Sequence, residues 1–194
     1  MTLVVATTNP GKVREITGIL AGLPHTILTL RDLPPVPEPE ETGETFAENA
    51  RLKALYYADA TGLPCVADDS GLEIDALGNA PGIHSARWHG TEYDVKFEKI
   101  YELLREQGLD TSPARFVCRV ALAERGRVLF EAEGMVSGRI APAPRGENGF
   151  GYDPIFYYPP FAATLAELDG ERKAAVSHRG FAFRALREHL RAAG

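Results

Sequence analysis

Two adjacent carboxylates, Asp68 and Asp69, follow directly after a short apolar run at residues 65–67. Open α/β sheets bind ligands at the carboxyl ends of their strands. Two carboxylates at such a position suit Mg²⁺, which takes oxygen ligands and often uses one or two carboxylates together with substrate phosphates. Neighbouring side chains of a strand point to opposite faces, so both can serve one site only if the strand ends before them. The alternative interpretation is a solvated turn.

A polar loop at residues 7–12 lies between a predicted strand and a predicted helix. Thr7, Thr8 and Asn9 offer hydroxyl and amide groups, and Lys12 offers a positive charge. We expect the helix start to add free backbone N–H groups and the positive end of its dipole, which together can hold an anion. The loop matches neither G-x-x-x-x-G-K-[ST] nor G-x-G-x-x-G, which excludes a P-loop and a dinucleotide fingerprint. The alternative is that the asparagine and glycine only cap the helix.

Two further candidates lie in the middle and the second half of the chain. Lys53 lies on a predicted helix, four residues after Asn49 and therefore on the same face, although a solvated lysine is the simpler interpretation.

The aromatic loop, residues 150–153, contains Phe150, Gly151, Tyr152 and Asp153. Its ring can stack on a base and its carboxylate can accept hydrogen bonds from ring N–H groups. The alternative is a turn closed by an aromatic plug.

Basic residues near the C-terminus form the last candidate group. Ser177 is a plausible N-cap, which places His178 and Arg179 in a first helical turn, a few residues after Lys173. Positive side chains at a helix N-terminus are unfavourable to the helix dipole. A locally unfavourable choice points to function, with an exposed helix start as the alternative.

The elements that must position these residues are predicted from hydrophobic periodicity and turn residues. A strand, helix, strand opening indicates an α/β fold. A capping box formed by Thr45 and Glu48 starts the helix that carries Lys53, and Gly62 ends it. The predicted strands are 3–7, 26–30, 63–67, a hairpin of 114–123 and 128–140, and 155–157, with 72–77 as a further strand or turn. The predicted helices are 12–20, 45–60, 92–107, a segment near residue 165, and 178–193. Residues 34–44 are predicted to be a loop.

Chain length, net charge and cysteine content limit the domain organisation, the partners and the location of the protein. The 194 residues predict a single domain, and a net charge of −6 argues against sequence-independent binding to nucleic acid. Cys65 and Cys118 each lie in an apolar run and predict buried thiols in a reducing compartment. No apolar stretch reaches the roughly 20 residues that a membrane span needs, and the N-terminus lacks the features of a signal peptide. We therefore expect a cytoplasmic protein.

The motifs and their order resemble those of the inosine/xanthosine triphosphate pyrophosphatase family (the RdgB type). The resemblance runs from residue 5 to about residue 185. It rests on five segments: ATTNPGKVREI, TFAENARLKA, ADDSGLEIDALGNAPGIHSAR, ENGFGYDPIF and K-x3-SHRG. It implies an elongated α/β fold with a long mixed β-sheet, flanking helices, and two lobes with the substrate cleft between them. It also implies a homodimer.

The resemblance further implies an activity. This is the hydrolysis of non-standard purine nucleoside triphosphates, dITP, ITP and XTP, to the monophosphate and pyrophosphate, which cleanses the nucleotide pool. Mg²⁺ is the implied cofactor. Asp69 is implied as the general base, Lys53 as a phosphate contact, and the metal ligands as Asp68, Asp69 and either Glu40 or Glu41.

The remaining implied roles concern substrate. The triphosphate is assigned to residues 7–12, the base to residues 150–153 with His178 and Arg179, and further substrate contacts to Ser70 and Lys173. The alternatives are a related nucleotide pyrophosphatase with another base preference and a non-catalytic nucleotide-binding module.

Overall fold

A seven-stranded mixed sheet organises the chain. The structure is a computed structural model that describes residues 1–192. The strand order is β2-β1-β3-β4-β5-β6-β7. The strands are β1 (Thr2–Val5), β2 (Thr26–Thr29), β3 (Cys65–Ile74), β4 (Pro113–Glu124), β5 (Arg127–Ile140), β6 (Phe156–Tyr158) and β7 (Ala163–Thr164). β1 pairs in parallel with β2 and β3, whereas β6 pairs antiparallel with β5 and β7.

Five α-helices accompany the sheet within the described residues. They are α1 (Pro10–Leu20), α2 (Phe46–Thr61), α3 (Tyr93–Glu106), α4 (Gly170–Val176) and α5 (His178–Ala192). The predicted α/β class with a mixed sheet and flanking helices is thereby confirmed. None of these helices in residues 1–192 is both long and apolar enough to cross a membrane.

The chain forms two compact units. The first unit comprises Met1–Asp69, Cys118–Gly134 and the chain from His178 onward; the second comprises Ser70–Val117 and Met135–Ser177. In the first unit, apolar residues of β1, α2 and β3, among them Val4, Ala54 and Cys65, pack together, and α1 packs on α5. In the second, residues of β3, α3 and β6, among them Leu72, Ile100 and Phe156, form a separate core.

Local sequence signals set several boundaries as predicted. The Thr45 hydroxyl accepts the Glu48 N–H while the Glu48 carboxylate accepts the Thr45 N–H, so the capping box starts α2. Gly62 ends the helix in the left-handed conformation, φ 68°, which glycine adopts without steric cost. Both cysteines are buried free thiols, also as predicted.

Two boundaries differ from the prediction. The strand expected to end at residue 67 continues for 10 residues as β3, through Asp68 and Asp69. A strand can continue through charged residues only if partners compensate their burial, and those partners come from distant parts of the chain. The helical segment near residue 165 is only a 3-10 turn, Leu165–Glu167, which precedes α4. The predicted end of the last helix at residue 193 lies outside the described residues.

β5 passes very close to the first turn of α5 at Gly134. A Cβ atom on Gly134 would lie 2.0 Å from the carbonyl oxygen of His178 and 2.6 Å from the amide nitrogen of Ala182. These are backbone atoms of a helix and cannot rotate aside. Gly134 is therefore a glycine because the helix that carries His178 and Arg179 lies against the strand backbone.

We expect Gly134→Ala to lower the free energy of unfolding by about 1–3 kcal/mol through overpacking. Gly18→Ala is the matched control, because Gly18 lies in α1 with nothing within 4 Å of its added Cβ. Replacing a glycine inside a helix by alanine should raise stability by roughly 0.5–1 kcal/mol. Urea unfolding of both variants measures the contrast. Equal changes in the free energy of unfolding for Gly134→Ala and Gly18→Ala would contradict the close approach of β5 to α5.

Candidate active site

Asp68 lies on one face of β3 and is enclosed by positive groups. Lys12 Nζ of α1 lies 3.0 Å from Asp68 Oδ2, and Arg179 Nη2 of α5 lies 3.2 Å from the same oxygen. The Cys118 thiol donates to it at 3.7 Å. Arg179 Nη1 also donates to Glu15 of α1 at 2.8 Å. This buried cluster, Lys12–Asp68–Arg179–Glu15, ties both helices to the strand, and we call it the anchor cluster.

Asp69 points to the other face of β3 and meets a different set of residues. Lys53 Nζ of α2 lies 3.0 Å from Asp69 Oδ1 and 2.7 Å from Glu41 Oε1. Asn49 Nδ2, one turn earlier on α2, donates to Asp69 Oδ2 at 3.3 Å, while its amide oxygen accepts the Gly43 N–H at 2.8 Å. This carboxylate cluster, Glu41–Lys53–Asp69–Asn49, brings two acidic residues to one ammonium.

The electrostatics of the two faces differ. Burial alone would raise the pKa of Asp68, but the charges of Lys12, Arg179 and Lys53 outweigh burial and hold that pKa far below its usual range. For Asp69, burial outweighs the attraction of Lys53 and Lys12, and Glu41 adds repulsion, so its pKa is raised. Burial lowers the pKa of Lys53, yet Asp69, Asp68 and Glu41 together shift it upward overall. Lys53 therefore stays charged between its acidic neighbours.

The predicted metal ligands, which are Asp68, Asp69 and either Glu40 or Glu41, do not form one cluster. Asp68 lies on the opposite face of the strand from Asp69, and Glu40 is exposed and outside both clusters, whereas Glu41 reaches Lys53. Within residues 1–192, no group of three or more His, Cys, Asp or Glu side chains is arranged to hold a metal ion. The expectation that the strand ends before the two aspartates is wrong, because β3 continues through both of them. That both carboxylates serve one metal site stays a prediction.

The loop at residues 7–12 is built differently from the prediction. The Asn9 side chain accepts the N–H groups of Gly11 (2.9 Å) and Lys12 (3.1 Å), and its carbonyl accepts the Val13 N–H at 3.0 Å. The expected free N–H groups at the start of α1 are therefore occupied by the cap. The side chains of Lys12 and Thr8 stay predicted anion ligands, but Lys12 pairs with Asp68 and the Thr8 hydroxyl donates to Glu38 at 2.5 Å. The Thr7 hydroxyl accepts the Asn9 N–H.

The aromatic loop lies in the second unit and is held by its own polar residues. The Asp153 carboxylate accepts the Phe150 N–H at 2.7 Å and a hydrogen bond from the buried ammonium of Lys173. That ammonium also lies over the Phe150 ring, 4.7 Å from its centroid. Tyr152 is buried and donates its hydroxyl to the Ser85 carbonyl at 2.9 Å. Asp153 and Tyr152 thus brace the loop, and Phe150 and Gly151 are its more accessible residues.

The remaining predicted site residues are placed individually. Ser70 is half-buried on β3 directly after Asp69, in the second unit. His178 is buried in the first turn of α5, beside Arg179.

Comparisons with known proteins give the family. The model of the Ham1 family matches residues 3–189. The chain belongs to the Ham1 family. It is 52% identical over 190 residues to a dITP/XTP pyrophosphatase of Thermus thermophilus, covering 97% of this chain and 91% of the relative. It is 48% identical over 190 residues to a dITP/XTP pyrophosphatase of Geobacter sulfurreducens, covering 97% and 96%. The predicted family resemblance is confirmed.

Solved Ham1 structures share the fold. A HAM1 protein from Coxiella burnetii superimposes with a TM-score of 0.90 at 42% identity, covering 99% of each chain. The Staphylococcus aureus Ham1 protein gives a TM-score of 0.87 at 38% identity, covering 100% of each chain.

Sequence reasoning did not select several residues of this Ham1 chain that the clusters contain. Glu15 lies three residues after Lys12 on α1, a spacing that places both on one helix face. Asn49 was placed on the face of Lys53 but not assigned to the site, although it bonds to Asp69. Cys118 was expected only as a buried thiol, and its contact with Asp68 joins two residues 50 positions apart, which no local pattern predicts.

The anchor cluster predicts a pH-dependent loss of stability. Asp68→Asn leaves Lys12 and Arg179 without their shared carboxylate, which should cost about 3–5 kcal/mol at neutral pH. The folded-state pKa of Asp68 lies below the unfolded value of about 3.9, so its contribution is complete well above that pH and is lost as the pH falls. The difference between the wild type and the variant should therefore narrow on going from about pH 7 to about pH 3.5.

Urea unfolding at both pH values measures this difference. Asp59→Asn is the control, because Asp59 is an exposed aspartate on α2, and its substitution should change stability by no more than about 0.5 kcal/mol. A constant gap between Asp68→Asn and the wild type across the pH range would show that the charge of Asp68 is not what stabilises the cluster.

Proposed function

We propose that this Ham1 protein hydrolyses the non-standard purine nucleoside triphosphates dITP, ITP and XTP to the monophosphate and pyrophosphate, with Mg²⁺ as cofactor. The observation that carries the proposal is its identity of about half with dITP/XTP pyrophosphatases over nearly the whole chain. The carboxylate cluster on β3 supplies residues suited to that chemistry. Removal of such nucleotides cleanses the nucleotide pool.

The carboxylate cluster fits a magnesium ion. Glu41 and Asp69 come from different segments, and each lies within 3.0 Å of Lys53 Nζ, so two carboxylates converge beside the lysine that is proposed to contact phosphate. Mg²⁺ is commonly bound by one or two carboxylates, several waters and substrate phosphate oxygens, so it does not need a larger set of protein ligands. When bound, the ion would neutralise phosphate charge and lower the pKa of an attacking water.

The residues of the cluster have separate tasks in the proposed reaction, an attack of water on the α-phosphorus with pyrophosphate as leaving group. Asp69 accepts a hydrogen bond from the water, orients it and takes up its proton as the water attacks, and Asn49 fixes the carboxylate from the α2 side. Lys53 offsets the charge of the two carboxylates and donates to a phosphate oxygen. Such chemistry depends on positioning and charge neutralisation more than on covalent help from the protein.

Base selectivity is assigned to the aromatic loop. Hypoxanthine and xanthine carry a carbonyl at C6, where adenine carries an amino group, so a hydrogen-bond donor accepts the former and rejects the latter. Arg179 directs its terminal nitrogens to Asp68 and Glu15, so we assign this donor to a backbone N–H of the loop, with Phe150 stacking on the base. The N–H of Phe150 itself is not that donor, because it donates to Asp153. Each unmatched polar group costs about 1–3 kcal/mol, or about 5- to 150-fold in preference.

Assembly and location are also proposals. The family resemblance supports a homodimer, and the two buried free cysteines support a reducing compartment such as the cytoplasm. The net charge of −6 argues against nucleic acid as a partner.

Product analysis tests the proposed activity. Purified protein is incubated separately with dITP, XTP, dATP and dGTP, with and without Mg²⁺, and products are resolved by anion exchange. We expect monophosphate and pyrophosphate from dITP and XTP, only with Mg²⁺, and much slower turnover of dATP and dGTP. Asp69→Asn should lower kcat by about 10²–10⁴-fold. Equal hydrolysis of all four substrates would refute the base selectivity, and binding without turnover would refute catalysis.

A pair of neighbouring glutamates tests the metal site. Glu41→Gln removes one of the two converging carboxylates, so half-maximal activity should need at least about tenfold more Mg²⁺, because even outer partners of metal ligands contribute 10–100-fold to affinity. Glu40→Gln removes the same charge one residue earlier, on an exposed side chain, and should leave the Mg²⁺ requirement unchanged. Titration of activity with Mg²⁺ measures both variants. If Glu40→Gln raised the Mg²⁺ requirement and Glu41→Gln did not, Glu40 would be the metal ligand.

A further inference from the structure

Lys96 of α3 is a fully buried lysine whose charge is compensated by dipoles and not by an acid. Its Nζ donates to the carbonyl oxygens of Ser85 at 3.1 Å and Ala86 at 2.7 Å. Within residues 1–192 it makes no ion pair with a carboxylate. Burial lowers the pKa of this lysine. Burying an ammonium is costly, so a lysine retained at such a position needs a reason beyond filling space.

The groups around this ammonium lead to the aromatic loop. Lys96 Nζ lies 4.4 Å from the centre of the Tyr93 ring and 5.8 Å from that of Tyr152. The Ser85 carbonyl that accepts from Lys96 also accepts the hydroxyl of Tyr152 at 2.9 Å. Tyr93 packs edge-to-face on Tyr152, with ring centres 5.2 Å apart. Lys96 and the loop are therefore joined through one shared acceptor and one aromatic contact.

The shared acceptor is itself fixed in place. Ser85 directly follows the 3-10 turn Gly82–His84, and its hydroxyl donates to the Gly82 carbonyl at 2.6 Å and accepts the Leu72 N–H of β3 at 2.9 Å. Ser85 is thus tied to β3 through its hydroxyl, while its carbonyl oxygen accepts from Lys96. A charge-assisted hydrogen bond restrains the orientation of the carbonyl that accepts it. The Tyr152 hydroxyl, which donates to the same carbonyl oxygen, is thereby restrained as well.

We propose that Lys96 is a positioning residue for base selectivity, acting through Ser85 and the Tyr93 and Tyr152 rings on the loop at residues 150–153. This inference rests on the proposed function, in which that loop recognises the base. Lys96 itself does not touch substrate. Asp153 and Lys173 hold the Phe150 end of the loop, and Lys96 holds the Tyr152 end.

A neutral substitution separates positioning from stability. Lys96→Met keeps most of the side-chain volume and removes the charge and both hydrogen bonds. The substitution removes the cost of burying the ammonium but takes a donor from the carbonyls of Ser85 and Ala86, so urea unfolding must first show that the variant is folded. The preference for dITP over dATP, as a ratio of kcat/KM values, should fall about ten- to hundredfold, because small displacements of positioning groups have effects of that size. KM for dITP should rise more than kcat falls, and the Mg²⁺ requirement should not change.

Lys99→Met is the control from the same helix, since Lys99 is partly exposed and pairs with Glu102. It should keep the wild-type preference. Tyr152→Phe removes the other hydrogen bond to the Ser85 carbonyl and should reproduce the loss of preference. The double variant, Lys96→Met with Tyr152→Phe, should lose less than the two single losses combined, because both act through one acceptor.

The outcomes separate this inference from the proposed function. If the wild type itself fails to prefer dITP, the proposed function fails first. If the wild type is selective and a folded Lys96→Met keeps its preference, the role of Lys96 is refuted while the function stands. If Lys96→Met does not fold, Tyr152→Phe decides: unchanged preference in that variant overturns the inference, and a loss confined to preference and KM supports it.

Discussion

The alternation of side chains along β3 is the constraint on which the arrangement of the first unit depends. Asp68 and Asp69 are successive residues of an unbroken strand, so they must leave it on opposite faces. Both are buried, and a buried carboxylate needs positive or hydrogen-bonding partners of its own. For Asp68 these partners come from α1 and α5, and for Asp69 they come from α2. Two adjacent charges therefore determine how three helices lie against the sheet.

The two faces differ in how completely their charges are balanced. The anchor cluster holds two carboxylates, Asp68 and Glu15, and two cations, Lys12 and Arg179, so it is neutral. The carboxylate cluster, as defined above, contains two acidic residues, Glu41 and Asp69, and one basic residue, Lys53, while Lys12 also attracts Asp69. A charge-balanced, enclosed cluster stabilises the fold, whereas a site with excess carboxylate charge favours the binding of a divalent cation. The same residue type thus serves structure on one face and proposed catalysis on the other.

Features encoded within a few residues could be predicted from the sequence, and features that depend on distant partners could not. The capping box at Thr45 and the glycine end of α2 are local, and so is the helical spacing that places Asn49 beside Lys53. The continuation of β3 through Asp68 requires Arg179, which lies 111 positions away, so local patterns favoured a strand end there. Lys96 is an intermediate case. It lies four residues before the buried Ile100, on the apolar face of α3, where a lysine is unexpected and its partners are invisible in the sequence.

The capped start of α1 limits the backbone donors that this acidic protein can offer to a triphosphate. Because Asn9 caps the first N–H groups, the helix terminus offers side chains more than backbone donors, and the charge of Lys12 is already shared with Asp68. Lys53 is likewise shared between Glu41 and Asp69. The two lysines proposed to contact phosphate are therefore both shared with carboxylates, and under the proposed function most of the neutralisation of a triphosphate would come from metal ions bound together with it. The proposed function therefore implies that the nucleotide and Mg²⁺ would bind together, with each depending on the other for affinity.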